Sequence, residues 1–254
     1  DSMEQLRRAK QRLTYEELLL IQIAVMKTKQ LLTKLPSHHI PHDDDAIKQF
    51  LTQFPFTITG DQRKAAWRIV QDMEQEHPMN RLVQGDVGSG KTLVAEIALF
   101  SVAHSGFQAA LLAPTELLAA QHSERITQHM EAHGILTGFV SGSTARIGTE
   151  TVSRAVLERA VQQHQVQVVI GTHALLNDRL AFKKLGLIVI DEQHRFGVAQ
   201  RKILREQAMQ RDQQVPHFLS MTATPIPRSL TLTLYGDLDL TLIQELPTGR
   251  KKIT

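Results

Sequence analysis

No cysteine occurs among the 254 residues. That excludes structural disulfides, thiol chemistry and Cys-ligated zinc, and it fits an intracellular, cytoplasmic protein. Aromatic residues are scarce at 5%, so the core must be aliphatic, and the 42% hydrophobic content is ample for one. Net charge is nearly absent: +3 is too little to mark a nucleic-acid binder by itself. Long apolar runs are missing too. The most apolar stretch, Leu18 to Met26, is broken by Gln22 and falls far short of a membrane span. Glu4, Arg7, Arg8 and Lys10 precede a helical pattern rather than a cleavage site, so no signal peptide is read. Twelve histidines are present, but they are scattered, and no histidine metal site is expected.

What is present is organised around Arg81-Leu82-Val83-Gln84-Gly85-Asp86-Val87-Gly88-Ser89-Gly90-Lys91-Thr92. A short apolar run leads into Gly85-x-x-x-x-Gly90-Lys91-Thr92, and an apolar helix pattern follows from Leu93 to Phe100. This strand, glycine loop and helix are the order that a phosphate-binding loop requires. Glycines such as Gly85, Gly88 and Gly90 let the backbone bend tightly and turn consecutive N–H groups, including that of Ser89, onto phosphate oxygens. The helix start at Lys91 adds its positive dipole end. Lys91 is placed to reach the β- and γ-phosphates, and the Thr92 hydroxyl to hold Mg²⁺.

Residues 3–35 read as one long helix, free of Gly and Pro until Pro36, and apolar on more than one side. Pro36 to Asp45 is a turn. Its acids Asp43, Asp44 and Asp45 read as the start of the next helix rather than as a calcium site, because adjacent side chains do not converge on one ion. Helices are expected over Ala46–Gln53, Asp61–Glu76, Thr92–His104, Glu116–Ala132, Glu150–Gln163 and Val198–Arg211. Strands are expected over Arg81–Gln84, Ala109–Ala113, Leu136–Val140, Val166–Ile170, Leu187–Ile190 and Phe218–Met221, the last clear one. The alternation argues for an α/β fold with a doubly wound parallel sheet, its strands buried on both faces.

A second anchor is Leu187-Ile188-Val189-Ile190-Asp191-Glu192. An apolar strand ending in two acids presents both carboxylates at the edge where the glycine loop opens. Asp191 is placed to hold Mg²⁺, directly or through water, and Glu192 to orient and deprotonate an attacking water. Taken alone, such a pair is more often a strand ending in solvated acids; the glycine loop about a hundred residues upstream is what favours the metal reading.

Asp191-Glu192-Gln193-His194-Arg195-Phe196-Gly197-Val198 resembles the Walker B segment of RecG-type helicases of superfamily 2. The remaining order is similar to that family throughout. Phe56-Thr57-Ile58-Thr59-Gly60-Asp61-Gln62 resembles its adenine-recognising segment, and Gly85 to Thr92 its Walker A. Ala113-Pro114-Thr115-Glu116-Leu117-Leu118-Ala119-Ala120-Gln121-His122 and Gly171-Thr172-His173-Ala174 resemble its DNA-contacting segments. Thr222-Ala223-Thr224-Pro225-Ile226-Pro227-Arg228 resembles its coupling segment, and Glu245 to Arg250 the link to a second motor domain.

The resemblance implies a RecA-like motor domain that uses ATP and Mg²⁺, with adenine near Phe56 and Gln62. It implies DNA phosphates near Pro114, Thr115, Glu116, Gly171, Thr172 and His173, and coupling through His194, Thr222 and Thr224. Gln62 has the donor and acceptor that adenine's edge needs, and a helix start such as Thr115 suits a phosphate. Residues 1–45 would lead from an upstream DNA-reading wedge domain, and 46–254 would be the first motor domain. The implied activity is ATP-dependent remodelling of branched DNA, such as stalled forks and Holliday junctions. Residues 1–254 alone would be nearly inactive, since the catalytic arginine of such motors comes from the second domain. Two other readings stand beside it. One is the motor of a transcription-repair coupling factor, which typically reads Asp-Glu-Glu-Gln where this chain has Asp191-Glu192-Gln193-His194. The other is a nucleotide-gated DNA-binding module that switches without doing work.

Overall fold

Hydrophobic side chains alternate between two cores along the central strands. Leu82, Ala110, Leu112, Ile188 and Ile190 face one core, whereas Val83, Ala109, Leu111, Leu187 and Val189 face the other. Both faces of a strand are buried only where helices cover both sides of the sheet, which is why these strands read as unbroken apolar runs. The computed structural model describes residues 2–176, 180–192, 213–224 and 238–245. The helix expected over 198–211, together with His194, Pro225-Ile226-Pro227-Arg228 and the stretch from 246 onward, lies outside them.

The described elements run α1 (Met3–Leu32), α2 (Asp44–Leu51), α3 (Gly60–Met73), β1 (Asn80–Gly85), α4 (Lys91–His104), β2 (Gln108–Leu112) and α5 (Glu116–Glu131). They continue with β3 (Thr137–Val140), β4 (Ala145–Ile147), β5 (Glu150–Val152), α6 (Arg154–Gln162), β6 (Val168–Gly171), a 3₁₀ turn at His173–Leu176, β7 (Leu185–Ile190), β8 (His217–Thr222) and β9 (Asp239–Ile243). The strand order is β5-β4-β3-β6-β2-β7-β8-β1-β9. From β3 to β9 every pairing is parallel, and β3-β4-β5 form an antiparallel meander at one edge. Helices α2 to α5 pack on one face. Leu157, Ala160 and Val161 of α6 pack on the other.

The expected doubly wound parallel sheet is present, with the antiparallel meander added at one edge. Two expectations need correction. The helix expected from Glu150 starts only at Arg154, because Glu150–Val152 pairs with β4 across a turn at Gly148, whose φ of 56° lies in the left-handed region. Phe218–Met221 is not the last strand, since β9 adds to β1 on the far side.

Helix starts follow the sequence closely. Asp43 caps α2 by accepting from the Asp45 and Ala46 amides at 3.0 and 2.9 Å. Ser2 and Gln5 form a capping box on α1. None of the residues of α1 is buried, and Leu6, Leu13, Leu20 and Leu31 stand in solvent. None of the described helices is long and apolar enough to cross a membrane.

Candidate functional site

The glycine loop follows β1 at the carboxyl edge of the sheet. Gly88 and Gly90 have φ of 81° and 89°, conformations that a side chain strongly disfavours. Gly85 is needed for a second reason. A Cβ there would lie 2.5 Å from Ser89 Oγ and 2.8 Å from the Ile243 carbonyl. Gly90 also forms the cap of α4, with no side chain satisfying the first amides of that helix. These N–H groups are the ones a phosphate would take.

Lys91 is nearly buried. Its ammonium donates to the carbonyls of Gly85 and Asp86 at 2.7 and 3.0 Å. Burial holds the ammonium below the usual lysine range, and the nearby charges of Glu192, Asp191 and Asp86 oppose that shift. Beside it, the buried Ser89 hydroxyl meets no hydrogen-bond partner among the described residues. A tight cradle, an unpaired buried hydroxyl and a buried cation fit a polyphosphate.

Gln62 sits at the third position of α3. It closes a capping box in which the Thr59 amide donates to Gln62 Oε1 at 3.0 Å and the Gln62 amide donates to Thr59 Oγ1 at 3.2 Å. Its Nε2 donates to the Ser89 carbonyl at 2.7 Å. The side chain expected to read adenine thus also holds the loop. Phe56 lies partly exposed, its ring 5.7 Å from that of Phe54. The start of α3 is tied to the end of β9 as well. Asp61 accepts from the Gln244 and Glu245 amides, and Glu245 accepts from the Asp61 amide.

Asp191 and Glu192 follow β7, which is separated from β1 only by β8. The Asp191 amide donates to the Leu112 carbonyl at 2.9 Å, anchoring the turn to β2. Glu192 has φ of 50°, rare for a residue with a side chain, and its amide donates back to Asp191 Oδ1 at 3.0 Å. The other carboxylate oxygen, Oδ2, lies 2.8 Å from His122 Nε2 of α5. His122 is the residue to which the motif reading gave no role. Its place at the end of the Ala113–His122 segment was the available signal, but the partner is 69 residues away. Among the described residues no cluster of three His, Asp or Glu side chains could hold a metal alone. Thr92 and Asp191 would need phosphate oxygens and water to complete a Mg²⁺ shell.

Toward the other side of the sheet, Thr115 caps α5 by accepting from the Leu118 amide at 3.3 Å, with Pro114 half-buried before it. Glu116 accepts from the Gly142 amide at 2.9 Å and so braces the loop after β3. Gly171 is packed so closely that a Cβ would collide with the Val140 carbonyl. Thr172 is buried, whereas His173 is exposed. Thr115 and the Gly171–His173 turn therefore open at the ends of the adjacent strands β2 and β6. Thr222 ends β8 beside Gln84, and its hydroxyl accepts from the Thr224 amide at 3.2 Å.

Residues 59–233 match the DEAD/DEAH box helicase family. The chain is 46% identical over 246 residues to ATP-dependent DNA helicase RecG of Pasteurella multocida, covering 97% of this chain and 35% of that protein. It is 42% identical over 242 residues to the RecG of Aquifex aeolicus, covering 95% and 30%. The chain thus spans about a third of the length of these relatives. Among solved structures, RecG bound to a three-way DNA junction superposes with a TM-score of 0.82 at 37% identity, covering all of this chain and 33% of that one.

Proposed function

The chain belongs to the DEAD/DEAH box helicase family, and on that footing we propose that it is the ATP-binding half of the motor of a RecG-type DNA helicase in the cytoplasm. The observation that carries this reading is the loop itself. A buried lysine is folded back on the Gly85 and Asp86 carbonyls, with two strand-end acids close enough to act on its charge.

The Gly88 to Lys91 amides take phosphate oxygens, and Lys91 exchanges its two carbonyl partners for them. Thr92 and Asp191 hold Mg²⁺, which when bound neutralises the charge that develops on the transferred phosphoryl group. Glu192 orients the attacking water and accepts its proton. Gln62 retains one amide hydrogen and one carbonyl lone pair for adenine, with Phe56 nearby. The α5 start at Thr115 and the Gly171–His173 turn take backbone phosphates of DNA, without reading bases. Thr222 and Thr224 lie beside the loop strand, where a change at the nucleotide is passed on, with His194 completing that relay.

In the full-length protein, a wedge domain ahead of α1 and a second motor domain complete an enzyme that acts on branched DNA, the kind of substrate bound by the RecG of the superposed structure. The second domain supplies an arginine, a contribution of roughly 10³–10⁵ in rate, so residues 1–254 alone turn over ATP very slowly. The test is ADP calorimetry together with ATP-dependent unwinding of a three-way junction by the full-length protein. Lys91→Ala should lose both. Unchanged ADP affinity in that variant would overturn the site, and an active enzyme indifferent to branched DNA would overturn the substrate.

A further inference from the structure

Asp191 is held at both oxygens. Oδ1 accepts from the Glu192 amide at 3.0 Å, and Oδ2 lies 2.8 Å from His122 Nε2. An ionised carboxylate only accepts, so the imidazole proton in this contact is on Nε2. The His122 and Asp191 side chains are only 13% and 14% exposed, so water competes little for either. His122 belongs to α5, whose cap is Thr115, two helical turns away. That helix is seated on the sheet by Ala119, Ser123, Ile126 and Met130, all buried.

We propose that His122 is a positioning residue, through which α5 fixes the Asp191 carboxylate in the orientation that receives the divalent cation of a bound nucleotide. The inference rests on the nucleotide site described above and assigns His122 no contact with nucleotide. A carboxylate that could rotate would have to be oriented at the moment of binding. One held by a seated helix is already oriented, and outer partners of metal ligands typically change metal affinity by about 10- to 100-fold. A staple that merely joins α5 to β7 would use the same contact, so stability alone does not separate the two roles.

The separating measurement is ADP affinity of the full-length protein by calorimetry over a series of Mg²⁺ concentrations. His122→Gln places an amide N–H near the position of Nε2, whereas His122→Asn is polar but too short to reach Oδ2. His122→Asn should raise the Mg²⁺ needed for half-maximal enhancement of ADP affinity about tenfold or more. It should leave ADP affinity without Mg²⁺ unchanged, and His122→Gln should recover most of the loss. Ile126→Val, a packing change on the buried side of the same helix, should lower the melting temperature without moving the Mg²⁺ requirement. The proposal is overturned if His122→Asn leaves the Mg²⁺ requirement unmoved, if it weakens ADP binding equally with and without the metal, or if His122→Gln fails to rescue. Lys91→Ala serves as the reference for the nucleotide site, since unchanged ADP affinity there would condemn that site and not the His122 contact.

Discussion

Gln62 donates a hydrogen bond from its side-chain amide to the carbonyl of Ser89 at 2.7 Å, across 27 residues of chain. The glycine loop is therefore held from outside by the first turn of α3, and at Gly90, whose φ of 89° already disfavours a side chain, a Cβ would also displace the same amide. Gln62→Glu keeps the size and the capping oxygen but loses the donor. ADP binding should weaken by about 1–3 kcal/mol, the cost of leaving a buried carbonyl unpaired, or roughly 5- to 150-fold in Kd. Calorimetry on that variant decides the matter, and an unchanged Kd would mean that the loop holds its own shape.

Thr115 serves the fold as well as the proposed DNA contact. Thr115→Ala should cost about 1 kcal/mol of stability through the lost cap. It should also weaken DNA binding at every salt concentration while leaving the slope of log affinity against log salt nearly unchanged, because a neutral hydroxyl releases no counterion. Thr115→Ser should restore both stability and affinity. Fluorescence titration would show unchanged DNA affinity in Thr115→Ala if Thr115 is only a cap.

Gly171→Ala should destabilise the protein by about 1–3 kcal/mol. The added Cβ would meet the Val140 backbone carbonyl, which cannot swing aside as a side chain would. Urea unfolding measures this directly, and a loss below about 0.5 kcal/mol would mean that β3 and β6 separate freely at this end.

His217 links stability to pH. It lies buried at the start of β8, where Nδ1 accepts from the Met79 amide at 3.0 Å and Nε2 donates to the His38 carbonyl at 2.8 Å. Burial lowers its pKa from 6.5 to about 4. The folded state thus favours the neutral ring. This stabilisation is fully present above about pH 6.5 and is lost as the pH falls toward 4, amounting to at most about 3 kcal/mol. Urea midpoints at pH 7.5 and pH 5 should differ more in the parent than in His217→Asn. Equal differences would remove His217 as the cause.

The glycine loop, the acid pair and the buried strands were legible in the sequence because each is a local matter. Gly88 and Gly90 answer a demand of their own backbone, and runs such as Leu187–Ile190 state their burial in their own composition. The edge meander was not legible. Glu150-Thr151-Val152 is short and carries no apolar run, and it becomes a strand only because β4 lies opposite. The same holds for β9, which needs β1 as its partner. At the site, the sequence alone named the residues proposed for phosphate and metal chemistry. Only the tertiary structure decided what orients them, because the Gln62–Ser89 and His122–Asp191 contacts join residues far apart in the chain. A hydrogen bond depends on distance in space, and a motif records only spacing along the chain.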